Sequence, residues 1–164
     1  MQIKHREYLR SLFFGFEDSL VSTAGLIAGI SIGSANSKFV FLAGIVAVSI
    51  EAVSMGIGEY LSDDALQDLD KLKRHKDNSL ISGLFMFASY LLSGLILLIP
   101  ILLLSFPYSL IATLTLSFMC LFSLGVIKGQ MLHTSAIKGG IKILLVGGIA
   151  AIFGVLVGYF FQIA

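Results

Sequence analysis

Residues 51–62, Glu51-Ala-Val-Ser-Met55-Gly-Ile-Gly-Glu59-Tyr-Leu-Ser62, place two carboxylates and a thioether at the end of a long apolar run. On an α-helix, side chains four residues apart form one stripe that turns by only about 40° per step. Residues 39–50, just before this stretch, carry no charge. An ionisable side chain inside a membrane is costly, so it is expected to face a cavity, a partner or an ion. The stretch therefore predicts a membrane helix that carries a functional stripe.

The composition predicts that lipid surrounds most of the chain. Of the 164 residues, 57% are hydrophobic and only 13% are charged, which is outside the range of soluble globular domains. The net charge of +1 gives no sign of nucleic-acid binding. Cys120 is the only cysteine, so there is no intrachain disulfide and no Cys-based zinc motif. We expect one all-α integral membrane domain over residues 1–164, with the lipid bilayer as its environment.

Five apolar stretches are long enough to span a bilayer, which takes about 20 helical residues. Asn78 to Ile127 contains no Asp, Glu, Lys or Arg over 50 residues, which fits two spans. Pro107 divides them, because proline fits the first turn of a new helix, and Pro100 is expected to kink the earlier span. The predicted spans are residues 11–33, 39–61, 80–104, 108–127 and 143–163.

Two hydrophilic segments, residues 62–78 and 128–142, are predicted as loops on one side of the membrane. In the first of them Leu66, Leu69 and Leu72 recur every three residues, so the second helix is expected to continue into water for two or three turns. Together with the N-terminal tail, these segments hold ten of the eleven Lys and Arg residues. The positive-inside rule then predicts a cytoplasmic N-terminus and a C-terminus outside the cell or in a lumen.

Opposite orientation of the first two helices allows depths to be compared between them. Asp18 is expected about 12 Å from the cytoplasmic surface, and Met55 and Glu51 at about 9 and 15 Å, so these side chains can meet. A set of oxygen and sulfur ligands disfavours Mg²⁺ and Ca²⁺ and tolerates Fe²⁺, Co²⁺, Mn²⁺ and Zn²⁺. Ser22, one turn beyond Asp18, can add a hydroxyl. Methionine is more often core filler than ligand, so the role of Met55 stays open.

Two further features have alternative interpretations. Glu17 is adjacent to Asp18 but about 100° around the helix, so it need not share the site. Gly25, Gly29 and Gly33 form a face of small residues that allows close helix contact. That face fits either packing inside the chain or a dimer interface.

The residues also carry a resemblance to a known family. Phe14-Gly-Phe-Glu-Asp18-Ser-Leu-Val-Ser22-Thr and Ser54-Met55-Gly-Ile-Gly58-Glu59-Tyr60-Leu-Ser62 resemble the paired signatures of the vacuolar iron transporter family. The five spans and their charge asymmetry are similar as well. The chain resembles the short members, because residues 62–78 stand where many members carry a large acidic cytoplasmic metal-binding domain.

The resemblance implies a homodimer of five-helix protomers that moves Fe²⁺, and often Mn²⁺, out of the cytosol in exchange for protons. It implies that Asp18 is the aspartate and Met55 the methionine of the pathway, with Glu59 at the cytoplasmic mouth. The expected metal-contacting residues are Asp18, Met55, Glu51, Glu59 and Ser22. The expected location is the cell membrane in a prokaryote and the vacuolar membrane in a eukaryote.

Two other functions are compatible with the same residues. A membrane scaffold or small subunit could use its carboxylates only for hydrogen bonds between helices. A proton-coupled exporter of another cation could use a membrane glutamate without needing Met55. Enzymatic activity is not expected, because His5, His75 and His133 all fall in predicted cytoplasmic segments, away from the buried acids. No cofactor is expected.

Overall fold

Five long α-helices make up a computed structural model that describes residues 6–69, 78–131 and 133–161. Each helix is long and apolar enough to cross a membrane. The prediction of an all-α integral membrane protein with five spans is therefore confirmed. The helices are α1 Arg6–Ser34, α2 Ser37–Leu69, α3 Ser79–Leu103, α4 Tyr108–Met131 and α5 Ala136–Phe160.

The helices extend further than the predicted spans where the chain is charged. α2 continues to Leu69, in line with its leucine spacing, and residues 70–77, the rest of the predicted loop 62–78, lie outside the described residues. The segment 128–142, predicted as a loop, is helical up to Met131 and again from Ala136. Hydropathy predicts where the apolar part of a helix ends. The helix itself can continue into the membrane interface, where long basic side chains such as Lys128 reach water. The predicted spans and the observed helices therefore differ in where the helices end.

Asparagine and proline residues lie at or near the ends of α3 and at the start of α4. Asn78 caps α3, since its side-chain oxygen accepts from the Leu80 amide at 2.9 Å. Pro100 lies inside α3, which ends three residues later at Leu103. The carbonyl of Pro107 accepts from the Ile111 amide at 3.2 Å, so α4 begins directly after the proline, as predicted.

Helix α1 lies at the centre of the bundle and contacts each of the other four helices. Its most extensive contacts are with α5 and α3, while α2 packs mainly on α3 and α4 packs mainly on α5. The contact between α1 and α2 is much smaller, although a short connection joins them. Helix α3 thus packs against both α1 and α2, which contact each other little.

One end of the bundle, called here the charged end, collects most of the described charges. Arg10 near the start of α1 bonds Glu59 in the second half of α2, and Lys128 in the last turn of α4 pairs with Glu17 of α1. These contacts require neighbouring helices to run in opposite directions. The described Lys and Arg residues at the charged end are Arg6, Arg10, Lys128, Lys138 and Lys142, and Lys38 lies at the other end.

The glycine face of α1 packs against α5 of the same chain. A Cβ atom on Gly29 would lie 2.8 Å from the carbonyl oxygen of Gly154, and one on Gly25 would lie 3.0 Å from that of Ala150. Gly33 similarly faces Gly158. Of the two interpretations of Gly25, Gly29 and Gly33, the structure therefore shows packing inside the chain.

Candidate functional site

The contact between Arg10 and Glu59 fixes the register of α1 against α2. Asp18 comes eight residues after Arg10, and Glu51 comes eight residues before Glu59. Each therefore lies about 12 Å from the contact, at the same depth from the charged end. Ser22, one turn beyond Asp18, and Glu51 both bond the hydroxyl of Tyr90, so α1 and α2 are linked at this depth. The structure thus places the two deepest acidic residues of the first two helices at one level of the bundle.

Tyr90 of α3 completes this group. Its side chain is only 1% exposed, and its hydroxyl donates a hydrogen bond to Oε2 of Glu51. The Ser22 Oγ lies 2.7 Å from the same hydroxyl. Because a phenol has one proton, and Tyr90 gives it to Glu51, Ser22 acts as donor to the tyrosine oxygen. We call Asp18, Ser22, Glu51 and Tyr90 the deep cluster.

Sequence reasoning did not identify Tyr90. Tyrosine usually lies at the membrane interfaces, whereas Tyr90 comes eleven residues after the start of α3 at Ser79, about 16 Å from the charged end. A tyrosine at that depth needs a hydrogen-bond partner. The available signal is a tyrosine in the middle of a span that contains no charged residue.

Met55 and Glu59 lie nearer the charged end than the deep cluster does. Met55 is partly buried on α2, one helical turn from Glu51, so about 6 Å closer to the charged end. Glu59 lies a further turn away. The stripe of Glu51, Met55 and Glu59 therefore runs from the deep cluster towards the charged end, as the spacing predicts, but its three members occupy three successive depths.

A cavity of about 710 Å³ opens at the charged end. Its wall includes Phe14, Glu17, Glu59, Met86 and Lys128. Two of its carboxylates are paired across helices: Glu17 accepts from Lys128 at 3.0 Å, and Glu59 accepts from the Arg10 guanidinium at 2.7 Å. Glu17 thus turns towards α4, and Asp18 beside it lies about 100° further around the helix. The described wall of the cavity ends before the deep cluster, since it includes neither Asp18 nor Glu51.

A second groove, of about 570 Å³, runs along α1 and α5 towards the other end of the bundle. Its lining is almost entirely apolar and reaches from Ser22 to Phe161. Ser22 therefore belongs to both the deep cluster and this outer groove. The two cavities approach the deep cluster from opposite ends of the bundle.

The deep cluster is small for a metal site formed by one chain alone. Within residues 6–69, 78–131 and 133–161, no three His, Cys, Asp or Glu side chains come together as a metal-binding group. His133 is exposed in the turn before α5, while His5 and His75 lie outside the described residues. The deep cluster thus offers two carboxylates, a serine hydroxyl and a phenol.

Comparison with known proteins gives a consistent family. The model of the VIT family matches residues 9–79 and 64–159. A vacuolar iron transporter of Centaurea cyanus is 41% identical over 56 residues, which are 34% of this chain and 23% of that protein. Vacuolar iron transporter 1 of Arabidopsis thaliana is 39% identical over 62 residues, 38% of this chain and 25% of that protein.

A third relative has a longer match. Vacuolar iron transporter homolog 2 of Oryza sativa subsp. japonica is 32% identical over 74 residues, 45% of this chain and 39% of that protein. The matched segments thus cover less than half the length of these three relatives.

Proposed function

Because the chain belongs to the VIT family, we propose that it transports divalent metal ions across a membrane, with Fe²⁺ and Mn²⁺ as substrates. The observation that carries the proposal is the deep cluster, where Asp18 and Glu51 share one depth inside the membrane. Two carboxylates there carry the charge that a divalent cation neutralises. Relatives named vacuolar iron transporters support metal as the cargo.

The proposed path begins at the cavity of the charged end, where Glu59 attracts the ion. The ion then passes Met55, whose thioether favours softer ions over Mg²⁺ and Ca²⁺. Asp18 and Glu51 hold it at the deep cluster, and Ser22 supplies a hydroxyl oxygen. The outer groove, which starts at Ser22, offers the way out.

Protons are the proposed counter-ion. Two carboxylates close together in a low dielectric cannot both stay ionised without a neighbouring cation. Either a metal ion or protons must therefore balance their charge. An exchange of one for the other at Asp18 and Glu51 is the simplest form of antiport that this site allows.

The proposed direction of transport follows from the charge distribution. With five of the six described Lys and Arg residues at one end, the positive-inside rule makes the charged end cytoplasmic. Metal would then leave the cytosol, either across the cell membrane of a prokaryote or into the vacuole of a eukaryote.

A homodimer is the proposed assembly. The deep cluster offers only two carboxylates, and the outer groove beside it is open and apolar. A second copy of the chain could cover this groove and contribute further ligands. Pairing through a two-fold axis would place two equivalent sites side by side.

Flux of Fe²⁺ and Mn²⁺ into proteoliposomes under an imposed pH gradient tests the proposal. Metal uptake coupled to proton movement is expected. A membrane scaffold would give no flux of any kind. An exporter of another cation would dissipate the pH gradient with its own substrate but not with metal.

Tyr90→Phe is expected to raise the KM for metal about tenfold with little change in maximal rate. The neutral phenol positions Glu51 without competing with the metal by charge. Losing one hydrogen bond to a buried charged group costs about 1 to 3 kcal/mol. The buried ring is retained, so the fold should persist. Tyr108→Phe, at the exposed start of α4, is the matched control, and an equal KM in the two variants would argue against a role for Tyr90.

Met55→Ala is expected to lower the ratio of Fe²⁺ to Mn²⁺ transport about threefold or more. Only the soft ligand is removed, and Mn²⁺ depends on sulfur less than Fe²⁺ does. The measurement is the flux of both ions at equal amounts of folded protein. Met119→Ala, on the exposed face of α4, should leave the ratio unchanged. If Met55→Ala also leaves it unchanged, Met55 serves only in packing.

A further inference from the structure

Glu59 is covered from the solvent side by an arginine. The glutamate side chain is only 10% exposed, whereas that of Arg10 is 55% exposed. Oxygen Oε1 of Glu59 accepts from Arg10 at 2.7 Å and from the Ser11 hydroxyl at 2.5 Å. An ion that enters the cavity at the charged end therefore meets a glutamate whose Oε1 is already bound to a cation.

Two other carboxylates hold the same guanidinium. Its Nε lies 3.0 Å from Glu7, and the nitrogen that bonds Glu59 lies 3.4 Å from Asp63. Arginine stays protonated at any physiological pH. Arg10 is therefore a permanent cation at the mouth of the cavity, and it can leave Glu59 while Glu7 and Asp63 still balance its charge.

We propose that Arg10 is a tethered competitor of the transported metal, a positioning residue that occupies Glu59 until an incoming ion displaces it. The inference rests on the proposed function and adds a determinant of apparent affinity to it. When the Arg10 side chain leaves Glu59 and keeps its contacts with Glu7 and Asp63, Glu59 becomes accessible to the metal. When the ion moves on to Met55, the guanidinium returns and prevents release back to the cytosol.

The second ion pair of the cavity differs in its partners. Lys128 binds Glu17 between α4 and α1, whereas Arg10 links α1 to α2, the helix that carries Met55 and Glu51. Arg6 also lines the cavity. Among the described residues, Arg10 is the basic side chain that binds Glu59. Changing other basic residues of the charged end therefore distinguishes competition at Glu59 from a general increase in negative potential.

The test compares Arg10→Gln with the wild type in the full-length chain, by proteoliposome flux and by titration of the detergent-purified protein with Mn²⁺. We expect both the KM and the Kd for metal to fall about fivefold in Arg10→Gln. This is the change expected when the metal no longer has to displace one partly exposed ion pair. Arg10→Lys keeps the charge but lacks the planar guanidinium with its several N–H donors. It should therefore lower the KM and the Kd by less. Lys138→Gln, which removes an exposed charge from the same end, should change neither value.

A double substitution decides whether Arg10 acts through Glu59. In a Glu59→Gln background, Arg10→Gln should have no further effect on the Kd. A fivefold fall that persists there, or an equal fall in Lys138→Gln, would overturn the inference in favour of general electrostatics. An unchanged Kd in folded Arg10→Gln and Arg10→Lys would also overturn it. Absence of flux in a wild type that binds Mn²⁺ would count against transport alone, because the binding comparison still decides the role of Arg10.

Discussion

Asp18→Asn is expected to lower the flux of every divalent metal about 100-fold. Asparagine keeps the size and most of the hydrogen bonding of aspartate but removes the anion that must offset a divalent ion in a low dielectric. Leaving a buried charge without its partner typically costs about 3 to 5 kcal/mol, which is enough for such a loss. The measurement is Fe²⁺ and Mn²⁺ uptake into proteoliposomes at equal amounts of folded protein.

Asp64→Asn is the matched control for this prediction. Asp64 is exposed near the end of α2, so the variant loses the same charge outside the membrane and should keep nearly full flux. Glu51→Gln should behave like Asp18→Asn if Glu51 contacts the metal, and like the control if Glu51 only bonds Tyr90. Undiminished flux in Asp18→Asn would remove the proposed pathway altogether.

The number of helices could be predicted from the sequence because the bilayer imposes a fixed length. An uncharged stretch of 50 residues is too long for one span, and Pro107 divides it at the observed start of α4. Hydropathy alone cannot distinguish a loop from a helix that has left the membrane. Residues 128–142 are therefore predicted as a loop, whereas the leucine spacing predicts that the second helix continues into residues 62–78. The last turn of α4 and the first two turns of α5 lie outside the predicted spans for this reason.

The deep cluster could be predicted only in part. Asp18 and Glu51 were found because charge inside an apolar run is itself a signal, and their common depth follows from two antiparallel helices joined by a short turn. Tyr90 carries no charge, and its partner Glu51 is 39 residues away along the chain. Its role depends on how α3 packs against α1 and α2, which no local pattern specifies.

The glycine face of α1 shows the same limit. Spacing of four residues predicts that another helix approaches closely, but it does not identify that helix. In the structure that helix is α5, whose Gly154 and Gly158 contact the backbone of α1. The partner of a small-residue face is thus a property of the whole bundle.

Gly29→Leu is therefore expected to destabilise the protomer itself, by about 3 kcal/mol or enough to prevent folding. A Cβ at this position would lie 2.8 Å from the backbone oxygen of Gly154, and a backbone atom cannot move aside as a flexible side chain can. Thermal unfolding in detergent, followed by loss of helical circular dichroism, measures the effect.

Gly148→Leu on α5 is the matched control, because a Cβ there has no neighbour within 4 Å. It makes the same change of residue at a position with open space around it and should leave the melting temperature almost unchanged. The dependence on protein concentration separates the two possible roles of Gly29. Damage inside a protomer lowers the melting temperature equally at every concentration, whereas a weakened dimer recovers stability as concentration rises, by mass action. Recovery of Gly29→Leu at high concentration would therefore contradict packing against α5 as the main role of this glycine.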